Sequence, residues 1–341
     1  MKTKKDILIL GIETSCDETS VAVVKNGREV LSNAVNTQID IHKLYGGVVP
    51  EIASRNHVMN MDGVYRQALS DAGVTIDDID AIAVTYGAGL LGALIVGVNF
   101  AKALAYSTGK PLIAVNHIEG HISANYIEYK DLKPPFCCLI VSGGHTALVE
   151  MESYIQKKLI GTTTDDAIGE AFDKVARECG LSYPGGPNVQ MQAEKGNDYI
   201  KFTNMDKDKI VDFNFSYSGL KTAVINFIHN KKQRGEDISV PDICASFQKE
   251  AVMQVVNKSI YAIKKFGYDK IVLAGGVSAN TYLREKMQEE ASKIGAKVYC
   301  PPLKLCTDNA AMIASAGYYN YINNRSIVDP RTLVPTSNIA L

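Results

Sequence analysis

Short apolar runs and longer apolar stripes alternate along the chain, a pattern that predicts strands feeding helices. Residues 7–12 form a first buried strand, and after the polar stretch 13–20 a second apolar run, Val21-Ala22-Val23-Val24, closes a hairpin. The tip of that hairpin offers hydroxyls, backbone N–H groups and carboxylates, a set that can face solvent or hold a phosphate and its metal. From 52 to 73, Val58, Met61, Val64, Ala68, Leu69 and Ala72 keep a helical period. A strand over 80–85 then runs into Tyr86-Gly87-Ala88-Gly89-Leu90-Leu91-Gly92 and a helix through Leu94, Val98, Ala101 and Ala105. Glycines at a strand-to-helix turn allow close backbone approach and aim a helix N-terminus at an anion. Their spacing matches neither a dinucleotide fingerprint nor a P-loop. A strand over 111–115 delivers Asn116 to the start of the next helix.

The same grammar restarts after Lys133-Pro134-Pro135, where the chain is broken. A strand over 136–141 opens into Ser142-Gly143-Gly144-His145-Thr146 and returns over 147–150. Between 165 and 179 the positions Ile168, Ala171, Phe172, Val175, Ala176 and Cys179 make one helical stripe, with Asp173 about 130° from its centre, toward solvent or a cleft. Residues 183–188 read as a rigid turn, and 213–222 as an edge strand entering a helix. A long helix carries Phe247, Ala251, Val255, Ala262 and Phe266 and stops at Gly267. The strand 270–274 passes through Gly275-Gly276-Val277-Ser278-Ala279-Asn280 into a further helix, mirroring the turn at 85–92. After a last strand at 297–300, Thr307-Asp308-Asn309 opens a helix for which Asp308 is a plausible N-cap.

Two halves with the same order of elements predict an α/β protein of two lobes. The expected lobes are 1–132 and 133–321, with the last helix and tail, about 322–341, packing back on the first. This order resembles the duplicated actin, Hsp70 and sugar-kinase architecture, which implies a ligand in a cleft between lobes. Composition adds exclusions. With 36 basic and 37 acidic residues, no whole-protein field attracts nucleic acid or an anionic membrane. Seven cysteines, at 16, 137, 138, 179, 244, 300 and 306, form no CxxC pair and read as buried thiols of a cytoplasmic protein. No run reaches the roughly 20 apolar residues of a membrane span.

The sharpest chemical signal is Asn116-His117-Ile118-Glu119-Gly120-His121. On a helix, His117 and His121 project from one face a turn apart and can grip one metal ion, whereas a surface pair is the bland reading. Glu119, roughly 200° around from His117, points away. A zinc-protease glutamate would directly follow the first histidine, where Ile118 stands.

Several motifs together resemble the bacterial TsaD family of tRNA N6-adenosine threonylcarbamoyltransferases. They are Gly11-Ile12-Glu13-Thr14-Ser15-Cys16-Asp17-Glu18-Thr19, Gly47-Val48-Val49-Pro50-Glu51, the 116–121 segment, and Val141-Ser142-Gly143-Gly144-His145-Thr146. Tyr183-Pro184-Gly185-Gly186-Pro187, Ser218-Gly219-Leu220-Lys221-Thr222 and 275–280 complete the set, in order from about 7 to 320. The resemblance implies one divalent metal ion per subunit, Fe2+ or alternatively Zn2+, held by His117, His121 and, from across the cleft, Asp308. It implies a substrate site at Val141, Ser142, Gly143, Gly144, His145, Asp173, Gly186 and Asn280. Gln190 stands where many relatives carry an acid. The implied reaction moves a threonylcarbamoyl group from threonylcarbamoyl-AMP to N6 of adenosine 37 in tRNAs reading codons that begin with A, and AMP leaves. The implied protein partners are TsaB and TsaE. No residue is identified as the proton acceptor; Asp17 and Glu18 are candidates by location. A small-molecule kinase of the same architecture and a non-catalytic scaffold subunit are the competing readings. The kinase needs no HxxxH, and the scaffold relatives lack the two histidines.

Overall fold

The computed structural model describes residues 6–203 and 212–339. Residues 1–5, with Lys2, Lys4 and Lys5, lie outside them. The chain falls into two compact units, Met1–Lys133 with Pro301–Leu341, and Pro134–Cys300.

The first unit contains β1 (Leu8–Glu13), β2 (Glu18–Lys25), β3 (Glu29–Thr37), α1 (Ile39–Lys43), α2 (Pro50–Ala72), β4 (Ala81–Gly87), α3 (Leu91–Thr108), β5 (Leu112–Asn116) and α4 (His117–Glu128). The second contains β6 (Phe136–Val141), β7 (Thr146–Met151), β8 (Lys157–Thr162), α5 (Ile168–Glu178), α6 (Gly185–Ala193), α7 (Ser218–Gln233), α8 (Val240–Phe266), β9 (Lys270–Ala274), α9 (Thr281–Ser292) and β10 (Lys297–Tyr299). The chain then returns to the first unit as α10 (Ala310–Ile322) and β11 (Ile327–Val328).

The first sheet runs β11-β5-β4-β1-β2-β3 and the second β10-β9-β6-β7-β8. In each, an antiparallel meander of three strands is extended by two parallel strands on the other side of its first strand. This shared order is the structural form of the repeat read in the sequence.

The first sheet is buried on both faces, as parallel strands require. Ile9, Ala22, Ala83, Ile113 and Val115 form a core with α4 and α10, whereas Leu10, Ile12, Val21 and Val23 pack with Met61 of α2 and Val98 of α3 on the opposite face. Helix α3 is long and apolar enough to meet a length-and-composition criterion for a membrane span. In the fold its Ala93, Leu94, Gly97, Val98, Ala101 and Ala105 are buried. Helix α2 starts on Pro50, whose missing N–H costs nothing there, and ends on Gly73 in the left-handed conformation, φ 66°.

Helix α10 lies close on β1 and α4 because glycines leave room. A Cβ on Gly11 would sit 2.3 Å from the Ala310 carbonyl oxygen, and one on Gly120 would sit 2.6 Å from Ile313 Cδ1. In the second unit α8 buries Phe247, Ala251 and Val255 against Leu139 of β6 and Leu273 of β9.

Four details differ from the sequence reading. Residues 301–321, expected in the second lobe, group with the first unit. Residues 213–217 make a single bridge, Thr163 with Phe215, rather than an edge strand. Their aromatic alternation arises because Phe215 and Tyr217 are buried, while Asp165 accepts from Ser216 Oγ and from the N–H groups of Tyr217 and Ser218. The rigid turn at 183–188 is shorter than expected, because α6 begins at Gly185 directly after the cis Tyr183–Pro184 bond. The strands β3 and β8, which have half-exposed patterns, were not expected from the apolar runs.

Candidate functional site

Asn116 ends β5 and caps α4, its Oδ1 accepting from Ile118 N at 2.9 Å, and this cap starts the helix at His117. His117 and His121 therefore share a face, with ring centroids 4.6 Å apart. Glu119 turns away toward Arg325, 3.4 Å distant. Asp308 comes from just ahead of α10. The helix is capped by Asn309, whose Oδ1 accepts from Met312 N at 3.1 Å, so Asp308 is not spent as the N-cap. Nor does Asp308 reach the histidines from a second lobe, since all three residues belong to the first unit.

Asp308 Oδ1 lies 3.4 Å from His117 Nε2 and 3.2 Å from His121 Nε2, and the three donor atoms all fall within 4.8 Å of one another. Ligand atoms around a tetrahedral ion with bonds of about 2.0–2.1 Å stand roughly 3.3–3.4 Å apart, so the two carboxylate contacts already have the spacing of a shared ion.

The second nitrogen of His117 is also committed. Nδ1 is 3.3 Å from Glu13 Oε2 and 3.1 Å from Ser15 Oγ. A carboxylate only accepts, so Nδ1 carries the proton and Nε2, on the Asp308 side, is the atom left to face an ion. Glu13 is wholly buried and is itself held by the Ser15 N–H at 2.5 Å and by the Thr85 hydroxyl. His121 Nδ1 is buried with no hydrogen-bond partner among the described residues, so no protein group there fixes its tautomer.

Electrostatics follow the geometry. Burial works against a charged His117, but Asp308 and Glu13 outweigh it and hold the imidazole well above its ordinary value. His121 is lowered by burial and by the neighbouring His117 charge. Asp308, despite burial, is held well below the carboxylate range by the two imidazoles. Two imidazoles and one carboxylate on a buried face are a donor set for a divalent transition ion, and they leave it a net positive charge and open positions.

Asp17 and Glu18 are buried beside this centre. Glu18 is pushed up to about 10 by burial and by the charges of Asp308 and Asp17. The glycine turn at 87–92, read as room for a ligand, is filled by protein. A Cβ on Gly89 would meet Ser15 at 2.7 Å, and one on Gly92 would meet Ser54 Oγ at 2.6 Å.

The eight expected substrate residues all lie in the second unit. Val141 ends β6, and Ser142 closes the following turn, its N–H donating to His145 O at 2.9 Å and its Oγ accepting from His145 N at 3.1 Å. Gly143 and Gly144 stay exposed. The N-terminus of α5 abuts this turn, with Gly169 N donating to Ser142 O at 3.2 Å. Gly275 approaches so closely that a Cβ would lie 2.5 Å from Val141 O. Thus the turns at the carboxyl ends of the parallel neighbours β6 and β9 are brought together, the usual ligand edge of such sheets.

Asp173 is raised by burial and accepts from Gly185 N at 2.8 Å, which joins it to the start of α6, where Gly186 sits. Asn280 caps α9 through Leu283 N at 2.8 Å and donates to Gln248 at 2.8 Å. Gln190 accepts from Thr281 N at 3.0 Å and so supports the start of the same helix.

The sequence reading missed Glu13 and Ser15 as partners of His117. The signal available was the motif 11–19 itself, which reads in the sequence as a phosphate-sized tip, a family motif and the place of Asp17 and Glu18, without marking Glu13 or Ser15. It also missed the buried His57.

A family model described as "TsaD: tRNA N6-adenosine threonylcarbamoyltransferase" matches residues 29–315. Relatives bearing that same description include one from Clostridium botulinum strain Kyoto, 56% identical over 95% of this chain and 95% of its own length. Another, from Clostridioides difficile strain 630, is 55% identical over 94% of this chain and 95% of its own. Among solved structures, full-length HypF in its phosphate- and nucleotide-bound form superposes with a TM-score of 0.62 at 16% identity, covering 96% of this chain and 48% of that one. Component A of the Acidaminococcus fermentans (R)-2-hydroxyglutaryl-CoA dehydratase gives 0.55 at 14% identity, covering 93% and 98%. These likenesses show the fold, the actin, Hsp70 and sugar-kinase type. By family model and by relatives matched along nearly their whole length, the chain belongs to the TsaD family of tRNA N6-adenosine threonylcarbamoyltransferases.

Proposed function

We propose that the chain transfers the threonylcarbamoyl group of threonylcarbamoyl-AMP to N6 of adenosine 37 in tRNAs that read codons beginning with A, releasing AMP. The observation that carries this reading is the convergence of His117, His121 and Asp308 on one point in a member of this family. In this reading the three residues hold one divalent ion, Fe2+ or Zn2+, per subunit. When bound, the ion would act as a Lewis acid toward phosphate or acyl oxygens.

The protein's own work is positioning. An exocyclic amine is a poor nucleophile, so rate must come from an acyl group activated beforehand and held in line with it. Gly143 and Gly144 offer exposed backbone donors, Val141, Ser142 and His145 shape the turn that presents them, and Asp173, Gly186 and Asn280 complete a nucleotide site in the second unit. An anticodon loop presents its base unpaired, so no duplex need be melted. TsaB and TsaE are the expected protein partners. All seven cysteines are free, which suits a reducing cytoplasm.

The test is a reconstitution with TsaB, TsaE, the adenylate-forming enzyme, threonine, bicarbonate, ATP and tRNA, read by the mass of the modified nucleoside. Modified adenosine should appear with the wild-type chain, and His117→Ala should lose both bound metal and product. Full activity after metal removal would reject the metal role. Steady phosphorylation of a small acid or sugar by the pure chain would favour the kinase reading instead.

A further inference from the structure

His57 of α2 is wholly buried and spends both ring nitrogens on the segment that follows Ser15. Its Nε2 is 2.9 Å from the Cys16 carbonyl oxygen and its Nδ1 2.8 Å from Thr19 Oγ1. A carbonyl only accepts, so Nε2 carries the proton and Nδ1 accepts from the threonine hydroxyl. Burial lowers this imidazole and keeps it neutral, which suits that one-donor, one-acceptor role.

Two further contacts hold the same segment. Gln38 N donates to Asp17 O at 3.1 Å and Leu90 N to Ser15 O at 2.8 Å. On its other side the segment supports the metal ligand, through Ser15 Oγ and Glu13 on His117 Nδ1. Residues 13–19 are therefore a strap between two histidines: His117 at the metal centre and His57 in the long helix behind it. A strap of this kind has work to do. It carries Asp17 and Glu18 into a buried region near Asp308, and a fixed backbone holds these acidic side chains in place against their mutual repulsion.

We propose that His57 is a positioning residue, which fixes residues 16–19 and thereby holds Asp17 and Glu18 beside the His117, His121 and Asp308 centre. The inference rests on the transferase reading for its kinetic consequence, but not for its structural one.

His57→Leu keeps bulk and removes both hydrogen bonds. It should lower kcat about tenfold or more, since small displacements of reacting groups are costly. The KM for the adenylate should stay within about twofold, because the expected substrate residues lie elsewhere, and the metal content should be unchanged. Amide exchange should accelerate at Gln38 and Leu90, whose N–H groups clasp the strap, while exchange over α8 stays as in the wild type. His57→Gln, which keeps a donor for the Cys16 carbonyl, should recover a substantial part of kcat. Thr19→Val, which removes only one arm, should fall between. The proposal is overturned by wild-type kcat in His57→Leu, by unchanged exchange at Gln38 and Leu90, or by losses that track the folded fraction equally in both His57 variants. A wild-type chain that makes no modified nucleoside would instead overturn the functional reading, and the exchange measurement would still judge the strap.

Discussion

Glu13 decides what His117 can do. With Nδ1–H given to a buried carboxylate, the imidazole has one tautomer and presents Nε2 as a more basic donor. Glu13→Gln keeps the shape and removes the charge. It should weaken metal binding by about 10–100-fold in a chelator competition while the circular dichroism spectrum is retained; unchanged affinity would show that Glu13 only fills space.

A second carboxylate, the half-buried Asp166, makes a stability prediction. Asp166 would be raised by burial, but hydrogen bonds from Lys221, Lys174 and Ser218 hold it at about 2. Its unfolded value is about 3.9. Because the folded value is the lower, its stabilisation is present above about pH 4 and is lost as pH falls toward 2. Asp166→Asn should therefore cost about 1–2 kcal/mol near neutrality, with the difference from wild type closing between pH 4 and pH 2 in denaturant titrations. A gap that persists at pH 2 would point to packing rather than charge.

At the scale of elements, the pair α4 and α10 makes the centre, and its parts were unequally visible in the sequence. The spacing of His117 and His121 is a local, periodic signal, and so was legible. Glu13, 104 positions away from His117, has no such signal, because only the pairing of β1 with β4, and of β4 with β5, brings it near. Asp308 stood out as a polar residue at a helix start, but sequence alone could not say that Asn309 takes the cap and frees it. The expected edge strand at 213–217 failed for a similar reason: two buried aromatics two residues apart imitate a strand, while the backbone bonds go to Asp165.

What places Asp308 is the close seat of α10 on β1, where Gly11 faces the Ala310 carbonyl and Ala314 N. These are backbone atoms that cannot swing aside. Gly11→Ala should therefore cost about 1–3 kcal/mol in unfolding free energy and weaken metal binding in the same variant, by shifting α10 away from α4. Loss of stability with metal affinity intact would mean that Asp308 follows α4 rather than α10.

At the scale of the molecule, one strand order is used twice, and each unit has its own core. The repeat was legible because buried parallel strands read as continuous apolar runs, whereas the final crossing back to the first unit was not, since nothing in the composition of 301–321 marks it. That crossing has a thermodynamic consequence. All three candidate metal donors lie in the first unit, so the free energy of binding an ion there would add to the stability of that unit and not to the core around α8. At a free metal concentration 100 times the dissociation constant, the gain is about 2.7 kcal/mol. For a unit of this size, each kcal/mol moves the midpoint by roughly 2–4 °C. Stripping the metal with a chelator should therefore lower the midpoint of the first unit by about 5–10 °C, and amide exchange should quicken across α4 and α10 while protection of α8 stays unchanged. Equal loss of protection in both units would show that they unfold together, and no loss in either would show that the three side chains hold no ion.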